Sequence, residues 1–264
     1  MLGIFNRPYG DPNLMPLAIG PMPILTILSA YLLFVLKLGP WFMANRKPFQ
    51  LRGTLKVYNA VQVLYNILIF ILCMYIILTT PHYKFSCLTP LALDHEMKKW
   101  ERLLVYSYYL NKILDLMDTV FFVLRKSHKQ ITLLHLIHHT SMPAIGYNLI
   151  RFFGYGGHII VVGILNVLVH TIMYTYYFIS AGSSPAVKQS LWWKQYITIM
   201  QMVQFVLMFS HSIWTLMTPN CQANRITIYV VLVASFLMLV MFSNFYIQAY
   251  IMPKAEKSAN DKLK

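Results

Sequence analysis

A chain of 264 residues that is 58% hydrophobic and only 11% charged has more apolar sequence than a soluble core of its size can bury. Its fold class is read as an all-α polytopic membrane protein. The formal net charge of +14 suits anionic lipid and phosphate-bearing ligands; nucleic acid is excluded as a partner, because the basic residues are scattered over short loops with no separate basic domain.

Hydropathy predicts seven transmembrane helices in chain order: Pro23–Met43, Val57–Thr80, Leu103–Leu124, Ile131–Phe152, His158–Ser180, Trp192–Met217 and Ile226–Met252. The connections are too short to fold alone, so residues 1–264 form a single transmembrane domain with an N-terminal segment (1–22) and a tail (253–264). Met1–Gly20 lacks a basic start followed by a compact apolar block, so no cleaved signal is expected there. No internal repeat is visible. Thirteen of the 22 Lys and Arg residues fall in or beside the connections after spans one, three and five and in the tail, against seven on the other side. The positive-inside rule therefore predicts a cytosolic C-terminus and an N-terminus across the membrane. Among the cytosol-facing cations, Arg46, Lys47, Arg52, Lys56, Arg125, Lys126, Lys129, Lys188 and Lys194 are placed to receive a phosphate-bearing substrate. Cys87 and Cys221 fall in two loops on the non-cytosolic side, which predicts a disulfide between them if that side is an oxidising lumen.

The spans are not uniformly apolar. The third holds Lys112, Asp115, Asp118 and Thr119. Lys112 and Asp115 are i, i+3 neighbours and are expected to pair, since each group left unpaired at mid-bilayer would cost about 2.5–3.5 kcal/mol. The fourth holds His135, His138 and His139, whose i, i+3, i+4 spacing puts three imidazoles on one face. The fifth holds Asn166, His170, Met173, Tyr174 and Tyr177 as one stripe, and the sixth has Thr198, Gln201 and Gln204 at three-residue steps. At 1.5 Å rise per residue, Asp115, Asp118, Gln201 and Gln204 lie roughly 10–15 Å below the cytosolic ends of their helices, and His138, His139 and His170 roughly 14–16 Å. Four helices thus bring polar groups to one layer, which predicts a shared cavity open to the cytosol.

No cysteine lies in these motifs and no Gly-x-Ser-x-Gly elbow is present, which leaves imidazole as nucleophile or base. Metal binding is the rival reading, since His135 and His139 have the spacing of a chelating pair that His138, His170 or Asp118 would complete. With five of the nine histidines inside spans, a two-metal site of the membrane di-iron desaturase or hydroxylase kind is undersupplied. A seven-helix receptor is a third reading; Asp-Arg-Tyr at the end of span three and Asn-Pro-x-x-Tyr in span seven are both missing.

The box His135-Leu-Ile-His138-His139, with Thr140 and Met142-Pro143, stands among four further blocks. Gly39-Pro40 with Arg46-Lys47-Pro48 and Lys112-x-x-Asp115-x-x-Asp118-Thr119 running into Val120-Phe121-Phe122 precede it. Asn166-x-x-x-His170-x-x-Met173-Tyr174-x-Tyr176-Tyr177 and Thr198-x-x-Gln201-x-x-Gln204-Phe205 follow. In this order, from Leu38 to about Tyr246, the chain resembles the very-long-chain fatty acid elongases, the membrane 3-ketoacyl-CoA synthases of the endoplasmic reticulum. The resemblance implies six helices around a closed-ended tunnel and a decarboxylative Claisen condensation of a long-chain acyl-CoA with malonyl-CoA, releasing CO2 and CoA. It implies no metal and no cofactor beyond these substrates. His138 would carry the acyl group as an acyl-imidazole, with His135, His139 and His170 assisting proton transfer and holding the malonyl thioester. Asn166, Gln201 or a histidine N–H would stabilise the enolate, and Asp115 and Asp118 would fix imidazole tautomers. Lys112, Arg125, Lys126, Lys129, Tyr174, Tyr177 and Gln204 are the expected substrate contacts. The other enzymes of an elongation cycle are implied partners, and a homo-oligomer is left open. The chain departs from the family in two places. Asp115 stands where the family usually has Glu, and the tail Asn260-Asp261-Lys262-Leu263-Lys264 only partly matches a dilysine retrieval signal.

Overall fold

The computed structural model describes residues 8–182 and 193–252. Expectations that fall on residues 1–7, on Lys188, on Trp192 at the head of the sixth span and on the 253–264 tail lie outside the described residues.

Helix α1 (Pro21–Met43) starts with Pro21, which needs no N–H partner in a first turn, after an extended Gly20. It loosens into a π-turn at Phe34–Leu38, where the Gly39 N–H reaches back to the Phe34 carbonyl. The cause is Pro40, which has no N–H to continue the ordinary ladder. A Cβ on Gly39 would lie 2.6 Å from Val123 Cγ1, so only glycine lets α1 come this close to the helix containing Val123. Helices α2 (Arg52–Thr79), α3 (Lys98–Leu114), α4 (Leu116–Leu124), α5 (Leu133–Phe153), α6 (Ile159–Gly182), α7 (Lys194–Met217) and α8 (Arg225–Tyr246, continuing as a π-turn to Ile251) complete the bundle. The closest neighbours are α2 with α6, α7 with α8, and α6 with α7, while α3 packs on α2 and α5.

Among the described residues five helices are long and apolar enough to cross a membrane: α1, α2, α6, α7 and α8 with its extension. The other two predicted spans exist as helical rods but are less apolar, α3 because of its charges and α5 because of its histidines. Helix ends also differ from the hydropathy boundaries. The rods start at Arg52 and Lys98 rather than Val57 and Leu103, because the helical ladder runs on through polar residues once the apolar stretch has ended.

The third predicted span is not one continuous helix. Asp115 separates α3 from α4, and the Asp118 N–H bonds to the Asp115 carbonyl at 3.2 Å, an i+3 tightening of the ladder. In α5, Thr132 caps the first turn, its hydroxyl accepting from the His135 N–H at 3.2 Å. Pro143, inside that helix, removes the N–H that would otherwise bond to the His139 carbonyl.

Large apolar side chains such as Leu36, Leu64, Leu68, Leu78, Val206 and Leu237 point outward, while Gln62, Asn66, Asn111, Lys112, Asp115 and Thr119 are buried. That inversion of the soluble pattern is what a lipid solvent selects. At one end of the bundle Cys87 and Cys221 are joined by a disulfide with a Cα–Cα separation of 5.6 Å. The same end holds a buried ionic knot: Lys98 to Glu101 at 2.7 Å, Arg102 to Asp11 at 2.7 Å, and the Tyr83 hydroxyl to Glu101 at 2.5 Å. Lys194 lies at the far end of α7 from Cys221, and Lys129 shares the Lys194 end.

Candidate active site

Residues from α4 to α8 enclose a cavity of about 470 Å³. His135, His138 and His139 from α5 line it, with Asn166, His170, Tyr174 and Tyr177 from α6, Thr198, Gln201 and Gln204 from α7, and Asp118 from α4. Lys129 and Lys194 stand in its wall beside Ala249 and Tyr250. A second, apolar cavity of about 70 Å³ lies deeper, lined by Met142, Gly146, Leu149, Ile159, Met208, Val231 and Met238 among others. His138, Asn166, Gln204 and Phe205 belong to both walls. The polar layer computed from helix rise is thus one chamber, and His138 sits where it meets an apolar annex.

Lys112 organises the floor between them. Its ammonium donates to Asp115 Oδ2 at 2.7 Å and to Asn166 Oδ1 at 2.9 Å, and lies 3.3 Å from His170 Nδ1. An ammonium has three hydrogens and no lone pair, so these partners use all of it and each must accept. Two orientations follow. Asn166 gives its carbonyl oxygen to Lys112 and keeps its amide hydrogens for other partners, and neutral His170 carries its proton on Nε2. Asp115 Oδ2 is 3.6 Å from His170 Nδ1, too far for a hydrogen bond, so Lys112 and not a carboxylate sets this tautomer. Lys112 thus spends its three hydrogens on Asp115, Asn166 and His170, and its side chain lines the second cavity.

Asp115 is fully satisfied: besides Lys112 it accepts from Gln62 Nε2 at 2.8 Å, and the Tyr174 hydroxyl is 2.9 Å away. That hydroxyl is also 2.7 Å from Asp118 Oδ2. One phenolic proton serves one acceptor at a time, and Asp118 lacks the help that Lys112 and Gln62 give Asp115. Gln62 is fixed in turn by Asn111, whose amide donates to Gln62 Oε1 at 2.7 Å. Sequence reasoning missed Gln62, Asn111 and Tyr58, whose hydroxyl accepts from Gln62 at 3.0 Å. A signal existed: Asn59, Gln62 and Asn66 fall at i, i+3, i+7 along an otherwise apolar second span, and all three are buried.

In the histidine box the rings of His135 and His139 are 4.1 Å apart and those of His138 and His139 5.4 Å. His135 Nε2 meets Thr119 Oγ1 at 2.7 Å, so a hydroxyl stands where a carboxylate was expected. Two buried atoms of the lining residues, His139 Nδ1 and Gln204 Oε1, have no partner among the described residues. Among the described residues the amide hydrogens of Gln201 and Gln204 meet only the sulfurs of Met173 (3.6 Å) and Met208 (4.0 Å). Thioether sulfur is a weak acceptor, so these donors remain available to a stronger one. Among the predicted phosphate contacts, Lys129 lines the chamber while Arg125 and Lys126 do not. Lys126 instead donates to the Ala44 carbonyl at 3.2 Å. No group of three or more His, Cys, Asp or Glu side chains among the described residues is arranged to hold a metal ion.

The helical bundle thus sets an imidazole cluster at the junction of a polar chamber and an apolar annex, an arrangement suited to an amphiphilic ligand. The chain belongs to the ELO family, described as GNS1/SUR4, whose family model matches residues 16–258. Its relatives include the very long chain fatty acid elongase F of Drosophila melanogaster, 44% identical over 252 residues, which cover 96% of this chain and 98% of that protein. The elongase F of Drosophila simulans is 46% identical over 251 residues, covering 94% and 95%. Human very long chain fatty acid elongase 4 is 34% identical over 246 residues, covering 92% of this chain and 76% of that one.

Proposed function

We propose that the protein is the condensing enzyme of fatty acid elongation, a 3-ketoacyl-CoA synthase that stores the acyl group on His138. A nitrogen of His138 attacks the thioester carbonyl of a long-chain acyl-CoA, the C–S bond breaks, and CoA departs with a proton. Malonyl-CoA then enters and loses CO2, and the electrons of that C–C bond become an enolate. The enolate carbon attacks the acyl-imidazole, a C–C bond forms, the C–N bond breaks, and the departing imidazolate takes up a proton from solvent, which regenerates neutral His138 and leaves a 3-ketoacyl-CoA two carbons longer.

The observation that carries this reading is the position of His138 in the walls of both cavities. A tail in the apolar annex brings its carboxyl carbon to the histidine box, and the CoA phosphates reach toward Lys129 and Lys194. Two oxyanions develop along the way, and preorganised donors favour both. The amide hydrogens of Asn166, freed by Lys112, and those of Gln201 and Gln204 suit that role, as does the Nε2–H of His170.

On the same reading the broken rod α3–α4 and α5 also cross the bilayer, giving seven spans with six around the tunnel. The protein lies in the endoplasmic reticulum membrane with the chamber mouth and the C-terminus cytosolic. Two facts support this: the excess of Lys and Arg on the mouth side and the disulfide at the opposite end. The reductases and dehydratase of an elongation cycle are the partners its product requires.

The experiment is a half-reaction. Purified protein given radiolabelled acyl-CoA alone should release CoA in a burst equal to the enzyme present and carry the acyl mass on the peptide containing His138. His138→Ala should do neither while melting at the wild-type temperature. CoA release that waits for malonyl-CoA would refute the acyl-histidine, and iron bound in stoichiometric amount with oxygen-dependent turnover would replace condensation with a desaturase.

A further inference from the structure

None of the residues of α1 lines either cavity, yet one of them is wired to the histidine box. The Tyr31 hydroxyl lies 2.8 Å from Thr119 Oγ1, which lies 2.7 Å from His135 Nε2. Thr119 is completely buried and Tyr31 is 6% exposed, so water does not compete for these bonds. The chain crosses three helices in two steps, from α1 through α4 to α5.

Its direction follows from counting protons. Tyr31 and Thr119 bring one hydroxyl proton each, and a neutral imidazole brings one to either nitrogen. If His135 donated from Nε2 to Thr119, and Thr119 donated to Tyr31, the phenolic proton would have no acceptor among the described residues. A buried hydroxyl left without an acceptor costs about 1–3 kcal/mol. If Tyr31 donates to Thr119 and Thr119 to Nε2, every proton is used. Thr119 also differs from three other helical threonines. Thr140, Thr171 and Thr175 each donate to the carbonyl four residues back at 2.7 Å. Thr119 makes no such bond to Asp115, whose carbonyl is drawn into the tightened turn by the Asp118 N–H. The Thr119 proton is therefore free for the imidazole.

We infer that Tyr31 is a positioning residue, which acts through Thr119 to hold His135 with a bare Nε2 and its proton on Nδ1. On the reading that this chain is an acyl-histidine condensing enzyme, the relay makes His135 a hydrogen-bond donor through Nδ1 and denies it the part of nucleophile. It thereby assigns different work to two histidines of one box: His138 takes the acyl group, and His135 gives a hydrogen bond to the group that reacts there.

The substitutions are conservative in shape. Tyr31→Phe removes one oxygen, Thr119→Val replaces the hydroxyl with a methyl group, and Thr119→Ser keeps the hydroxyl. Tyr31→Phe and Thr119→Val should each lower kcat for condensation by about 10–100-fold, the loss typical when an outer partner that orients a histidine is removed. KM for both thioesters should hold, and the acidic limb of the kcat pH profile should move. Thr119→Ser should stay within about threefold of wild type, and the double variant should be no slower than Thr119→Val alone, as expected of groups acting as one unit. Wild-type kcat in Tyr31→Phe, or a double variant that loses the product of the two single losses, would overturn the relay. Nitrogen NMR of protein labelled at histidine, with the His135 signals assigned by their loss in His135→Gln, reads the tautomer without any turnover. A protonated Nδ1 in wild type and a mixture of tautomers in Tyr31→Phe are expected, and a protonated Nε2 in wild type would end the proposal. Because that measurement needs no substrate, failure of the relay and failure of the condensing-enzyme reading are told apart.

Discussion

Replacing Lys112 by Met tests the electrostatic centre of the site most directly. The Lys112–Asp115 pair is 2.7 Å apart and about 95% removed from solvent on both sides, so at an effective dielectric near 20 its Coulomb attraction is about 6 kcal/mol before desolvation is counted. Methionine fills the same volume but leaves the Asp115 carboxylate buried without a countercharge. Breaking a pair of this kind typically costs 3–5 kcal/mol. Asp115 keeps its bond from Gln62 and its contact with Tyr174, so the low end, about 3 kcal/mol, is the expected value. At about 2–4 °C per kcal/mol, the thermal midpoint in detergent should fall by about 6–12 °C. Asp115→Asn added to Lys112→Met removes the stranded charge and should restore most of that loss, since neutral replacements of buried ion pairs are often well tolerated. Condensation should not return in the double variant, because Asn166 and His170 lose the donor that orients them. A single variant that melts like wild type, or a double variant that loses the sum of the two single effects, would show that the ammonium is not what balances Asp115.

Three further outcomes are expected. Cys87→Ser should lower thermal stability, but by less than the roughly 5 kcal/mol that chain entropy assigns to a closed loop of 134 residues, because helices left in a bilayer are far from a random coil; the melting curve should match that of wild type under reductant. Lys129→Glu and Lys194→Glu should raise KM for acyl-CoA in a way that added salt blunts, whereas Lys126→Glu, outside the chamber wall, should change it much less; equal effects from all three would move the phosphate site elsewhere. Gly146→Leu, at a position that lines the annex and where even a Cβ comes within 3.3 Å of Tyr109, should shift the product profile toward shorter chains with little loss of rate on the shortest substrates; an unchanged profile would mean that tails do not enter that annex.

How much of this was legible before folding depended on the kind of signal. Runs of apolar residues located the helical segments of the bundle, five of which, among the described residues, are long and apolar enough to cross a membrane, and a fixed rise per residue put the polar groups of four helices at one depth, where the chamber is found. Helix geometry is regular enough to carry both inferences. The break at Asp115 was not legible, because no Pro or Gly interrupts residues 98–124 and a one-residue tightening leaves no compositional trace. Nor was the duty of Lys112, since spacing pairs it with Asp115 but only three dimensions add Asn166 and His170. The shorter Asp115 is explained by its neighbours: Lys112, Gln62 and Tyr174 all reach it without the missing methylene. Tyr31 carried no signal at all, since a lone tyrosine in an apolar run reads as a filler of the helix surface.

The meeting of the two cavities at His138 has a consequence for traffic. If the proposed acyl-histidine mechanism holds, both thioesters use the same chamber for the same bulky nucleotide handle, so the two guests must queue. Parking the first tail on His138 would then empty the vestibule for the second visitor. A parked ester analogue beside an open doorway is also exposed to water, and an enzyme of this shape starved of its second substrate should slowly squander its cargo as free fatty acid.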